Sequence, residues 1–404
     1  MSTGIFAGLK VADFTWAAAG PIVTKQLADN GATVLKIESI HHPDSVRQGG
    51  PFTDDKPGIN RSGFFADFNS SKLSIAVNMG HRRAAEIIDP VIRWADVVAE
   101  SFRPGVMERW GFGYERISRI NPGIIMLSSS LYGSDGPWSQ HPGFGAQGQA
   151  LAGLHALTGW PDRAPAAPKG AYTDSVSPRL AASALLAAMI HREKTGEGQH
   201  VEISQIETTI GMLAPQMLEF QLAGECAARQ GNVKADTILH GVFQCVGAER
   251  WIAIEVENES QWPRLIATLR KVGPPAAVLE GIRPWEGTDR HCLEDAVQQL
   301  TQRWDAFQLM DELRAAGVPA GVALKGSDLL VDKALAERGH FWPLHHPEMG
   351  TLSYNGPAYR FSRTPSVLTR AAPCLGQDTD MVLTDILHME RNQIEDLRGS
   401  GVLE

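Results

Sequence analysis

Short apolar runs alternate with stretches of helical spacing through the first 200 residues, and few folds are open to a chain built that way. Residues 9–15 (LKVADFT) read as a strand. Residues 19–30 read as a helix with Val23, Leu27 and Ala28 on one face and Gly31 as its stop, and 33–38 (TVLKIE) as a second strand. Such a βαβ unit calls for parallel strands joined by a right-handed crossover. The pattern repeats with strands at 73–78, 97–100 and 124–130 and helices at 82–94 and 114–121. The expected fold is a doubly wound, Rossmann-like α/β domain.

An Ala- and Leu-rich helix is predicted over 179–193, then a turn (KTGEGQ), a strand at 200–204 and a helix from Gln205. Past Gly224 the texture changes. Residues 242–246 and 251–256 read as a β pair around Gly247 and Ala248, with helices at 260–271 and 289–315. This predicts a large α/β domain of residues 1–220 completed by 325–404, and a smaller α+β domain at 225–325. The tail reads as a turn-rich stretch (HHPEMGTLSYNGP) followed by a polar helix at 379–397.

Composition narrows the function classes. A 404-residue chain with 43% hydrophobic and 21% charged residues is an ordinary globular protein, long enough for two to three domains. Net charge is −9 and no basic block stands out, so nucleic acid and membrane surfaces are poor partners. The most apolar stretch, 180–190, is too short to span a bilayer, which takes about 20 residues. The first ten residues lack the charged-then-apolar pattern of a secretory signal. Cys226, Cys245, Cys292 and Cys374 are far apart, which suits buried thiols in a reducing cytoplasm rather than a disulfide framework.

Gly143, Gly145 and Gly148 spell GxGxxG, but not directly after the first strand of a βαβ unit, so a Gly-rich loop is the better reading than a dinucleotide site. His41–His42 and His345–His346 sit in Pro-containing loops, and neighbouring histidines rarely face one ion; no metal site is expected.

Five segments carry a more specific signal: AGPIVTKQLADNGATVLKIES (19–39), SFRPGVMERWGFGYERISRINP (101–122), YTDSVSPRLAASALLAAMIHREKTGEGQHVEISQIE (172–207), LRAAGVPAG (313–321) and HPEMGTLSYNGPAYRFSRTP (346–365). In this order they resemble the family III CoA-transferases, a family that includes formyl-CoA transferase, carnitine CoA-transferase and α-methylacyl-CoA racemase. The resemblance implies an interlocked, ring-like dimer and transfer of CoA between carboxylic acids, with a CoA thioester as substrate and no resident cofactor. It also implies an aspartate nucleophile shortly before the HRxxTGxGQ turn, which is Asp174. Read from the residues alone, Asp174 and Ser175 are good N-cap types for a helix that Pro178 opens, and a cap is all they need be. As a nucleophile, Asp174 would attack the acyl-CoA thioester to form a mixed anhydride, and CoA would return to give an aspartyl-CoA thioester. Helix N–H groups would keep its carboxylate ionised.

The resemblance also implies CoA contacts at Ala18, Ala19, Lys72, Phe102 and Arg109, with Lys72 at an adenosine phosphate. Ser39 and Ser101 replace a family Arg and Asn, and Arg47 is a substitute cation. His240 and Gly241 of a small-domain loop, with Phe144 and Gly145, match substrate or oxyanion-loop positions. The racemase branch places His and Asp where Phe144 and Gly145 stand, and neither can move a proton, so transfer is the better reading. Small residues at Gly145 and Ala146, with the YTDxxxPR wording, suggest succinyl-CoA as donor and a substituted succinate such as benzylsuccinate as acceptor. Oxalate is disfavoured. A racemase, or a non-catalytic CoA-binding subunit of a heteromer, is the alternative. The expected partners are an acyl-CoA, a small carboxylic acid and a second identical or homologous subunit.

Overall fold

The computed structural model describes residues 4–234, 236–272, 284 and 290–404. They divide into two compact units: one runs to Leu154 and includes Ala167–Cys226 and Lys333–Glu404, the other comprises His155–Ala166 and Ala227–Asp332. The sequence reading assigned 155–166 to the first domain. It goes with the second unit, where Gly231 N–H donates to Gly159 O (2.8 Å) and Arg229 to the Trp160 carbonyl (3.3 Å).

The first unit is built on a six-stranded, all-parallel sheet in the order β3-β2-β1-β4-β5-β6. The strands are β1 (Lys10–Asp13), β2 (Thr33–Glu38), β3 (Leu73–Ala76), β4 (Val97–Glu100), β5 (Ile125–Ser130) and β6 (His200–Ser204). A parallel sheet is covered on both faces, so neighbouring residues of one strand feed opposite cores. Val11, Val97 and Ile125 pack with helices α1 (Ala19–Ala28) and α5 (Tyr172–Thr195). Ala12, Val98 and Met126 pack with α2 (Ala85–Trp94), α3 (Tyr114–Ile120) and the C-terminal helix Arg391–Gly399. Between β5 and β6 lie α4 (Gly145–Leu151) and α5; α6 (Gln205–Met212) and α7 (Ala214–Ala223) follow β6.

Helix α5 begins at Tyr172, seven residues before the predicted start, and Pro178 lies inside it. It buries Thr173, Ser177, Ala181 and Leu185, a stripe at intervals of four that lies along the sheet and α1. The turn-rich tail stretch is in fact a hairpin, Phe341–His346 with Gly350–Asn355, which buries Tyr354 against Phe65 and Met349. The polar tail helix is interrupted before Arg391, with His388 at φ +54.

The second unit holds an antiparallel sheet of β7 (Leu239–Gln244), β8 (Trp251–Val256) and β9 (Ala320–Val322). Helices α8 (Trp262–Leu269), α9 (Arg290–Thr301) and α10 (Ala306–Ala315) share its core. The single helix predicted over 289–315 is two, because Trp304 turns into that core and Asp305 caps α10 by accepting the Phe307 and Gln308 N–H groups. Residue 289 lies outside the described residues. Cys226 and Cys292 are exposed rather than buried; Cys245 is buried. No helix among the described residues is long and apolar enough to cross a membrane.

Candidate active site

The strand order reverses direction between β1 and β4, and in open α/β sheets ligands bind outside the carboxyl ends of the strands at such a point. A cleft of about 200 Å³ lies there. Its walls are Trp16–Ala19 after β1, Ser101–Pro104 after β4, Ser129–Tyr132 at the end of β5, and Gly143–Gly145, with Asp174 and Gln205 from the helices beyond. Ala18, Ala19, Phe102, Phe144, Gly145 and Asp174, all named from the sequence, thus line one cleft.

Asp174 is the third residue of α5 and not its cap; the N-cap position is Ala171, which makes no side-chain cap bond. The helix start is fixed instead by Gln149 of α4, fully buried, whose amide oxygen accepts the Tyr172 N–H (2.9 Å) and whose nitrogen donates to Gly170 O (3.2 Å). Thr173 donates to Gly145 O (3.1 Å). Pro178 has no N–H to offer the Asp174 carbonyl four residues back. The Asp174 carboxylate is half-buried, and among the described residues nothing donates a hydrogen bond to it. Burial pushes it up to about 6, so the expected helix N–H stabilisation is not there. At pH 7 and above the group is still mostly ionised.

Of the three glycines of GxGxxG, Gly143 lies in the loop before α4, as expected, while Gly145 and Gly148 lie inside α4. The latter two let α4 approach its neighbours closely. A Cβ on Gly145 would stand 2.6 Å from Asp174 Oδ2 and 2.5 Å from Ala171 Cβ, and one on Gly148 would stand 2.7 Å from Leu131 Cδ1. The space left by Gly145 is therefore filled by the Asp174 carboxylate and not by room for a larger acyl group, which corrects the sequence reading.

Below the cleft lies a buried ionic network. Lys72 pairs with Asp13 (2.9 Å), Lys36 with Asp44 (3.1 Å) and Arg47 with Glu38 (2.8 Å), every one of these side chains being 0% exposed. Burial pulls Lys72 down to about 8 despite the attraction of Asp13. Burial opposes the charge of Lys36 too, but Asp44, Asp13 and Glu38 together raise it. Lys72 and Arg47 are thus not available to a nucleotide phosphate: their charges are consumed inside the fold. Arg109 is exposed at the end of a short helical turn (Val106–Arg109) and does not line the cleft. His240 and Gly241 lie on β7 of the second unit, where the His240 ring bonds Asn232 O (2.7 Å). Residues that sequence reasoning missed include Ala17, Arg103, Tyr132, His141 and Gln205; the signal available for the first three was position just past a strand's carboxyl end.

A second cleft, of about 320 Å³, adjoins the first through the shared Trp16 and Phe102. Phe14, Ser39, His42, Asn78 and Trp110 line it. Phe102 sits edge-on between Trp16 (5.3 Å) and Trp110 (5.1 Å), with its N–H held by Glu100 (2.8 Å).

Fold and site together define a doubly wound α/β protein with an unpaired carboxylate in the crevice at its switch point. The chain belongs to CoA-transferase family III, whose model matches residues 6–379; it is a CoA-transferase. It is 28% identical over 388 residues to the succinyl-CoA–D-citramalate CoA-transferase of Chloroflexus aurantiacus, covering 95% of this chain and 94% of that protein. It is 32% identical over 326 residues to the acetyl-CoA:oxalate CoA-transferase of Acetobacter aceti, 80% of this chain and 81% of that one. A CaiB/BaiF family protein from Brucella suis superposes with a TM-score of 0.84 at 26% identity, over 95% of this chain and 99% of that one.

Proposed function

We propose that this transferase moves CoA from succinyl-CoA to a substituted succinate, benzylsuccinate being the favoured acceptor, with Asp174 as the covalent nucleophile. The observation that carries the reading is the Asp174 carboxylate itself: half-buried, without a hydrogen-bond donor among the described residues, and set in the cleft over Gly145. A carboxylate stripped of donors is a better nucleophile than a solvated one, and it is ionised at neutral pH. The cycle needs no redox step. Asp174 attacks the thioester carbonyl and CoA thiolate leaves; CoA then attacks the aspartyl carbonyl of the anhydride, releasing the first acid. The acceptor's carboxylate repeats the sequence in reverse.

The two adjoining clefts suit the two ends of an acyl-CoA. The adenosine end goes to the aromatic cleft beside Trp110, and the thioester crosses Trp16 and Phe102 toward Asp174. Ala18 and Ala19 open α1, which has no side-chain cap, so its first N–H groups are open to an anion. Citramalate, the acid named for the Chloroflexus relative, is a substituted succinate, which supports that acceptor class; the oxalate relative makes oxalate the comparison to run. Helix α7 buries no residue and exposes Met217, Leu218, Phe220 and Leu222, as a subunit contact of an interlocked dimer would require. His240 and Gly241, which lie on strand β7 and not in the expected loop, are candidates for substrate contact, and Arg109 for a CoA contact.

The test is a matrix of donors (succinyl-, acetyl- and formyl-CoA) against acceptors (benzylsuccinate, citramalate, glutarate, oxalate), read by chromatography of the CoA esters. Succinyl-CoA with a substituted succinate should be the fastest pair; a faster oxalate pair would refute the acceptor. The pH profile of turnover should fall on the acid side with an apparent pKa near 6, following Asp174. Gly145→Ala should displace that carboxylate and lower kcat by about 10²-fold, the order expected for a misplacement of about 1 Å. Steady-state kinetics beside a melting curve would separate this from unfolding.

A further inference from the structure

The turn that forms the rim of the cleft is held by side chains from elsewhere in the fold. Lys36 donates to Thr15 O (2.6 Å). Ser101 Oγ accepts the Trp16 N–H (2.8 Å) and donates to Trp16 O (3.1 Å). Asp44 Oδ1 accepts the Ala17 N–H (2.8 Å). Ala17 lies at φ +63, in the left-handed region that residues with a Cβ rarely adopt. Its amide therefore points at Asp44 only because the turn is forced, and the next residues, Ala18 and Ala19, start α1 in the cleft.

Asp44 is built to stay where it is. It is fully buried, its second oxygen faces the Lys36 ammonium at 3.1 Å, and its own N–H donates to Glu38 (3.3 Å), which Arg47 clamps with two bonds. Among the described residues, Asp44 is the one acceptor for the Ala17 N–H. Without it the turn would relax and carry the Ala18 and Ala19 amides away from the cleft. Asp174, on α5, would keep its place.

We propose that Asp44, with Ser101 beside it, is a positioning residue for the transfer reaction: it holds the Ala17 turn in the shape that receives CoA. The proposal rests on the CoA-transferase reading of the cleft given above. It predicts a split between binding and chemistry. Asp44→Ala should raise KM for succinyl-CoA, and Kd for CoA by calorimetry, at least tenfold, with kcat at saturation within threefold of wild type. Asp44→Asn keeps an acceptor for the Ala17 N–H and should stay within threefold in both. Ser101→Ala, which removes no buried charge, should show the same KM-only change and decides the matter if Asp44→Ala does not fold. A folded Asp44→Ala with unchanged KM, an Asp44→Asn as impaired as the alanine variant, or an unchanged Ser101→Ala beside an unfolded Asp44→Ala would each overturn the proposal while wild-type turnover stands. A wild-type protein that neither binds CoA nor transfers it would overturn the reading of the site, and this proposal with it.

Discussion

Asp174→Asn should abolish CoA transfer, by about 10³-fold or more, and should melt at a higher temperature than wild type at pH 8. The first effect follows from the proposed chemistry: an amide cannot form the anhydride, and loss of a covalent nucleophile removes the whole pathway. The second follows from burial. The folded-state value of Asp174 is about 6 against an ordinary 3.8. Between those values the folded chain binds more protons than the unfolded one, so stability falls as pH rises from about 4 to 6. Above that window the ionised carboxylate weighs against the fold. Asparagine carries no such charge, so its advantage should be full at pH 8 and should disappear near pH 4. Melting curves at the two pH values, beside the transfer assay, test both parts. A residue that merely capped α5 would show retained turnover and nearly unchanged stability, because asparagine caps a helix about as well as aspartate.

Lys72→Met should destabilise the large unit by about 3–5 kcal/mol, the usual consequence of removing one partner of a buried ion pair. Asp13 would be left with Lys36 as its nearest charge and with the hydroxyls of Thr15 and Thr24, which donate at 2.5 and 2.7 Å. Asp13→Ala combined with Lys72→Met removes both charges and should recover most of the loss, because a well-packed apolar pair does about as well as a buried salt bridge. Urea unfolding followed by circular dichroism measures both. Equal losses in the single and double variants would mean that the pair contributes through Asp13's bonds to the turn rather than through charge.

The sheet was legible because each strand is a short segment rich in β-branched or other apolar residues, bounded by helical spacing or turns. The predicted bounds of β2, β4 and β6 coincide with Thr33–Glu38, Val97–Glu100 and His200–Ser204. The start of α5 was not legible. Pro178 reads as an opener, whereas the helix begins at Tyr172 because Gln149, 23 residues away, supplies the bonds a cap would. The C-terminal hairpin was missed because its strands alternate only weakly between buried and exposed positions and one contains Pro343. Lys72 and Arg47 were misread for a related reason: a charge in a sequence carries no mark of burial, and the partner of Lys72 is 59 positions away. The location of Asp174 and the residues after β1 and β4 were legible from family-like segments. Their chemistry depends on Gly145, whose missing side chain sets where the carboxylate sits. That distance is invisible in a string of letters.

The most direct test of the account is to trap the covalent enzyme during turnover. Wild-type protein incubated with succinyl-CoA and quenched with hydroxylamine, then digested and sequenced by mass spectrometry, should carry a hydroxamate on Asp174 and on no other carboxylate. The modification should require the acyl-CoA and be absent from Asp174→Asn. A protein that turns over succinyl-CoA while the Asp174 peptide stays unmodified, or that carries the hydroxamate on a different residue, would contradict it.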